Sequence, residues 1–381
     1  MGSPCVRAIL VAFLTGGNLR ASSRRFLRRF RYRSSYIRDH RANRPIPNEG
    51  LPPMKSSFLC NYVVSCCVAA AMLAGCGGSQ PPIGAPDAMP QTSAIATHAD
   101  RGTSWMLPEA KSEDLLYVTD SGYGSFGDGG SVSVFSYPHG GVVGDLTAFS
   151  SPNGACVDKA GNVFISDINE REIFEYAHGG SQPIRTLGDA QQPNGCSVDP
   201  RTGNLAVANI DGSVAIYRKG KGSAKTYHNP ILIDAYYCAF DDDGNLFVDG
   251  FNYYHSNHNF QLVELPRGKG TFKDITINET FVTPTGVQWD GQYVVVGDGD
   301  PEHLGVYRVD VTGTQGVVKR KISLTNSYPL GFWIDDKRLI NPDIDKQQVE
   351  FFRYPSGGLA TKVITSGVNY PSAATVSRAK T

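Results

Sequence analysis

The chain has 381 residues, of which 40% are hydrophobic and 19% charged, a balance that excludes a disordered or low-complexity polymer. Glycine and proline make up about one residue in six, above the usual share of roughly 12%, and call for many turns. The zero formal net charge hides an asymmetry: residues 1–53 hold 11 Arg against Asp39 and Glu49, leaving 25 basic and 34 acidic residues from Met54 onward. An acidic globular part is a poor partner for a phosphate backbone, which excludes nucleic acid as its ligand.

In chain order, residues 1–53 read as an upstream leader with no place in the fold. Their run Arg24-Arg25-Phe26-Leu27-Arg28-Arg29-Phe30 leads into no long apolar segment, and Pro45, Pro47, Pro52 and Pro53 break the stretch beyond it. Residues 54–75 then have the layout of an export signal: Met54 and Lys55, an apolar run, and small residues before a cut. The run carries Asn61 and falls short of the roughly 20 apolar residues of a membrane span. Its end, Leu73-Ala74-Gly75-Cys76, resembles the lipobox of bacterial lipoproteins, which implies acylation of Cys76 and an anchor in the bilayer of a bacterial envelope, facing periplasm or exterior. Residues 76–111, rich in Gly, Pro, Ser, Ala and Thr, read as a flexible tether, and 112–381 as the folded domain.

From Leu115 the chain repeats. The phrase PNGACVDKAGNVFISD beginning at Pro152 returns from Pro193, Ala235, Pro284 and Pro329, at spacings of 41, 42, 49 and 45 residues. Each copy continues into an alternating run such as SVSVFSYPHGG (Ser131 to Gly141) or VEFFRYPSGG (Val349 to Gly358). Periods of 40 to 50 residues built of short alternating strands and Gly turns predict an all-β, six-bladed β-propeller of four-stranded blades. The first outer run, Leu115 to Asp120, lacks an inner strand before it, whereas Pro371 to Val376 lacks a partner after it, so the C-terminal strand is expected to close blade one.

The blade phrase P-N-G-x-x-V-D-x-x-G-N-L-F-V-x-D resembles those of the NHL-repeat and gluconolactonase-like (senescence-marker-protein) six-bladed propellers over residues 115–376. That resemblance implies the fold and leaves activity open, since such propellers include hydrolases, lyases, sugar dehydrogenases and binding scaffolds. In the lactonases a divalent cation is held by Glu and Asp beside Asn residues from the P-N-G and P-D-G phrases. Asn153 and Asn194 match the Asn positions, but Tyr236, Thr285, Leu330 and Ser372 occupy the others and bring no carboxylate. Two amides are too few for a hard cation, so neither metal nor cofactor is expected. Asp120, Asp167, Asn209, Asp249, Asp298 and Asn341 or Asp343 recur at the ends of second strands, as turn formers should.

Departures from the repeat are where individual chemistry can lie. The largest is the loop from Phe251 to Phe260, which carries Tyr253, Tyr254, His255 and His258 and should share a face with Tyr236, Tyr237, Asp298 and His303. With Asn153 and Asn194 these residues predict a mouth suited to a small polar or carbohydrate-like ligand or a protein partner. A monomeric binding protein without catalysis is the expectation; the alternative is a hydrolase or lyase on a sugar-like or lactone substrate with His255, His258 or His303 as base. Among the cysteines of the domain, Cys196 and Cys238 share a repeat position and Cys156 is shifted by one, which leaves either a Cys196–Cys238 disulfide or two buried thiols open.

Overall fold

Short runs of Val, Ile, Phe and Tyr between Gly-Asn and Asp-containing turns become strands throughout the domain, and the two helical turns, Pro108–Lys111 and Arg218–Gly220, are single 3-10 turns. The computed structural model describes residues 103–122, 129–147, 149–252 and 259–380, all within the unit Thr92–Thr381. The leader, the signal segment, Cys76 and the tether as far as residue 102 lie outside the described residues, as do Tyr253, Tyr254, His255 and His258.

Four-stranded antiparallel meanders succeed one another along the chain. The first comprises β2 (Leu115–Asp120), β3 (Ser131–Ser136) and β4 (Val142–Leu146), with β1 (Trp105–Met106) added outside β4 and β25 (Pro371–Ser377) inside β2. The second is β5 (Pro152–Val157), β6 (Val163–Asp167), β7 (Glu172–Tyr176) and β8 (Pro183–Gly188), and the third β9 (Pro193–Val198), β10 (Leu205–Asn209), β11 (Ser213–Tyr217) and β12 (Lys225–His228). Next come β13 (Asp234–Phe240), β14 (Leu246–Asn252), β15 (Asn259–Leu265) and β16 (Lys273–Ile277), then β17 (Pro284–Trp289), β18 (Val294–Asp298), β19 (Gly305–Thr312) and β20 (Gln315–Ile322). The last is β21 (Trp333–Asp335), β22 (Arg338–Asp343), β23 (Gln348–Arg353) and β24 (Lys362–Ile364).

These strands form five hydrogen-bonded sheets in a propeller-like arrangement, because β16 and β20 join two meanders into one eight-stranded sheet. The link is a short parallel pairing, Thr276 with Gln315 and Ile277 with Gly316. It arises from the unusual length of the β19–β20 hairpin, whose turn at Gly313 carries it out to the neighbouring edge.

The inner strands touch in cyclic order: β5 with β9, β9 with β13, β13 with β17, β17 with β21, β21 with β25, and β25 with β5. Glycine at the third place of the repeat phrase makes that approach possible. A Cβ on Gly195 would lie 2.7 Å from the Tyr236 carbonyl oxygen and 2.7 Å from the Tyr237 Cα. The two ends of the domain meet where β25 pairs with β2, Val118 opposite Ala374 and Leu116 opposite Val376, as the unmatched terminal repeats predict.

The core lies between neighbouring meanders rather than within one. Val163, Ile165 and Tyr176 pack on Leu115, Tyr117 and Val134, while Phe164, Ile173 and Leu187 on the other face of the same meander pack on Leu205, Val207 and Tyr217. Every residue of β6 is buried, so its alternation sorts side chains between two neighbours instead of between core and water. Each fully buried Val or Ile contributes about 1.5–3 kcal/mol.

That sorting corrects the expectation for the thiols. Cys196 and Cys238 do share a register, opposite Val207 and Val248, and therefore point the same way around the ring. Cys196 turns back towards Phe164, and Cys238 turns back towards the Gly195 and Ala206 carbonyls, so the two cannot meet. Cys156, shifted by one residue, points forward and meets Cys196 in a disulfide with Cα atoms 5.7 Å apart. Cys238 stays a buried free thiol whose pKa is pushed up by burial and, less, by the Asp249 charge. Alkylation under denaturing, non-reducing conditions and then peptide mapping will label Cys238 and leave Cys156 and Cys196 unlabelled; a label on Cys156 would contradict this pairing.

Candidate ligand-binding face

One face of the domain gathers the starts of the inner strands, the ends of the second strands and the loops between successive meanders. Asn153 and Asn194 come together there, Asn153 Nδ2 donating to Asn194 Oδ1 at 2.6 Å. Asn194 is buried, and its own Nδ2 has no hydrogen-bond partner among the described residues. At the matching positions Ser372 Oγ sits 2.9 Å from Thr119 Oγ1, and Thr285 is fully buried. The ring thus offers amides and hydroxyls. Among the described residues no group of three or more His, Cys, Asp or Glu side chains is placed to hold a metal ion.

The axis behind this ring is nearly filled. Ala155, Cys196, Tyr237, Cys238, Phe332 and Ala374 surround a cavity of about 10 Å³, the room of a single water. Tyr237 replaces the repeat's glycine, is buried, and reaches across the axis to donate to the Ser372 carbonyl at 3.3 Å. Its side chain thus spans the axis between two opposite inner strands. Tyr236, its neighbour, is half-buried against Phe251, ring centroids 5.4 Å apart and edge-on.

The strand-ending carboxylates are occupied by backbone. Asp298, fully buried, accepts from the amides of Val282 at 2.9 Å, Thr283 at 3.0 Å and Asp300 at 2.9 Å. Asp167 does the same for Ser150 at 2.7 Å and for Ser151 and Asn169. Asp298 is therefore a loop clamp, as the repetition of the residue suggests. His303 closes the turn after it, its amide donating to the Asp300 carbonyl at 3.0 Å and its Nδ1 lying 3.5 Å from the Asp300 carboxylate.

The roomy feature of the face lies elsewhere. Where β16 leaves β15 to pair with β20, a recess of about 470 Å³ opens. It is lined by Phe260, Gln261, Asp274, Ile277, Glu279 and Phe281, with further contributions from the same strands and from Ile231. Phe260 and Phe281 pack with their rings tilted and centroids 5.1 Å apart, and Phe281 meets Tyr307 edge-on at 4.7 Å, a chain of rings that holds the recess wall. Sequence reasoning reached Phe260 only as the end of the long loop and passed over Gln261, Asp274, Ile277, Glu279 and Phe281. The signal available was the 49-residue spacing from Ala235 to Pro284, the longest of the series.

No protein-family model matches the chain, and no curated protein matches it. Among solved structures, a chain from the crystal structure of a nidogen/laminin complex is similar, at 13% identity and a TM-score of 0.53, over 70% of this chain and 100% of that one. A Bacteroides caccae protein of unknown function is similar at 14% identity and a TM-score of 0.51, again over 70% of this chain and 100% of the other. The fold is a β-propeller.

Within the propeller one carboxylate departs from its expected place. Aligned on its paired neighbours, the residue of β14 in register with Asp167 and Asp298 is Gly250, and Asp249 falls one position earlier, beside Thr119 and Ser166. Asp249 is thus no loop clamp; it faces forward into the next blade, as Thr119 does to the Asn153 carbonyl and Ser166 to the Asn194 carbonyl. It accepts from the Tyr237 amide at 2.7 Å and the Gly286 amide at 3.1 Å, bridging β13 and β17. Burial pushes its carboxyl from 3.8 up to about 7, against the opposing pull of those two amides. The folded state therefore keeps a proton that the unfolded chain loses above about pH 4, and this group's contribution to stability falls as pH rises from about 4 to about 7, by at most about 1.4 kcal/mol per pH unit. Denaturant unfolding at pH 5 and pH 8 will show Asp249→Asn destabilised at both but with a flatter pH dependence than the parent. Equal slopes would show that Asp249 stays ionised throughout.

Proposed function

We propose that this protein is a lipid-anchored, six-bladed propeller of the NHL and gluconolactonase-like kind that binds a ligand or partner on its loop face and catalyses no reaction. The six-blade reading is supported by the division of the eight-stranded sheet into two antiparallel meanders joined only at Thr276–Ile277 and Gln315–Gly316. The anchor rests on the Leu73-Ala74-Gly75-Cys76 box and its preceding apolar run, which argue for a domain held in a bacterial envelope at the end of a tether.

The observation that carries the binding role is the contrast between two cavities lined by described residues, one on the axis and one at the periphery. The cavity on the axis has room for about one water, whereas the peripheral recess, with two phenylalanines and polar rims, has the volume of a ligand site, within the usual range of roughly 300–1,000 Å³. Asp167 and Asp298, whose oxygens are taken up by backbone amides, serve the loops and not a ligand.

Site-specific photocrosslinking tests this reading in cells that export the full chain. Benzoylphenylalanine in place of exposed Thr280 at the recess rim will give a discrete adduct, and the same residue in place of exposed Lys269, on the turn at the opposite end of the blade, will give none. Equal labelling, or none at Thr280, would overturn the loop-face assignment.

A further inference from the structure

The recess is built from strand edges, and its occupant can be read from them. The pairing of β15 with β16 covers Leu262 to Glu264 only, opposite Ile275 to Lys273. Beyond it, β15 continues through Gln261 and Phe260 with β14 on one side, at Gly250 and Phe251, and the recess on the other. The end of β16 is held away: Thr276 donates to the Thr314 carbonyl at 2.9 Å, Asn278 to the Gly316 carbonyl at 3.0 Å, and the Val318 amide donates to Asn278 Oδ1 at 2.8 Å. Beyond Leu262 the two strands no longer pair, and the recess opens beside Gln261 and Phe260.

An open edge flanked by alternating pockets is what an extended peptide adds to. Here the pockets are apolar, from Phe260, Ile277 and Phe281, while the charged side chains lining the recess are Asp274 and Glu279, with no cationic residue among those that line it. Asp274 is partly held by Asn229 Nδ2 at 2.7 Å; Glu279 is exposed at the rim. From Met54 onward the chain as a whole carries 34 acidic against 25 basic residues, so the long-range field has the same sign as the recess.

We propose that the recess receives an extended, basic peptide segment of a partner protein, which pairs with the Phe260–Gln261 edge of β15 and places its cationic side chains against Glu279 and Asp274. The proposal rests on the loop-face reading above and names its partner class. Alternating apolar and basic residues satisfy both the two-residue period of a strand and the split between the apolar floor and the acidic rim.

The test uses the exported full chain and three synthetic probes in a fluorescence titration: a blocked Lys-Val-Lys-Val-Lys-Val hexapeptide, the same peptide N-methylated at alternate amides, and a Glu-Val counterpart. The Lys-Val peptide is expected to bind, N-methylation to weaken it at least about tenfold through lost main-chain bonds, and the Glu-Val peptide to bind far more weakly. Glu279→Lys should weaken the Lys-Val peptide about three- to tenfold, with Lys269→Glu on the far face leaving it unchanged. Failure of the Lys-Val peptide to bind, indifference to N-methylation, or equal binding of the Glu-Val peptide would each overturn the proposal. If these probes fail while the Thr280 crosslink persists, only the peptide assignment falls; if the crosslink is also lost, the loop-face reading falls with it.

Discussion

Convergence of the inner strands on one axis is the constraint on which the rest of the structure depends. Strands that fan out from an axis must crowd at their inner edges, and crowding there selects glycine at the third place of the phrase in β5, β9 and β17. Where the phrase has another residue the axis records it: Tyr237 in place of glycine fills the centre and bonds to Ser372 on the far side. The same crowding turns each second strand into a bridge. Thr119, Ser166 and Asp249 each make a hydrogen bond to the inner strand of the next blade, so neighbouring blades are tied by polar contacts close to the axis and by apolar packing farther out.

The repeat made the all-β fold and the joining of the two ends legible. Strand alternation, Gly-Asn turns and the unmatched first and last repeats are local patterns, and each has a direct structural consequence, ending in the pairing of β2 with β25. Direction around the ring was harder to read. Equal repeat position suggests proximity, yet in a sheet buried on both faces it means that two side chains point the same way. Cys196 therefore bonds the out-of-step Cys156 and not the in-step Cys238, and the one-residue offset of Asp249 converts an apparent turn former into a bridge between blades.

The recess was illegible for a different reason. It depends on two blades at once: the long β19–β20 hairpin reaches the outer edge of the preceding blade, pairs with the end of β16, and leaves Phe260 and Gln261 lining the recess. The spacing between phrases and the long loop that ends at Phe260 hint at it, but neither shows that two blades meet there. The irregularity that merges two meanders into one sheet is thus also the one that opens the recess beside β15.

Native-state hydrogen exchange most directly tests whether the C-terminal strand completes the ring. The β25 amides from Ala373 to Val376 are expected to exchange as slowly as those of Val163 to Ser166 in β6, opening only with global unfolding. Exchange of Ala373 to Val376 at the rate of a frayed tail, with β6 still protected, would contradict the closure on which the ring depends.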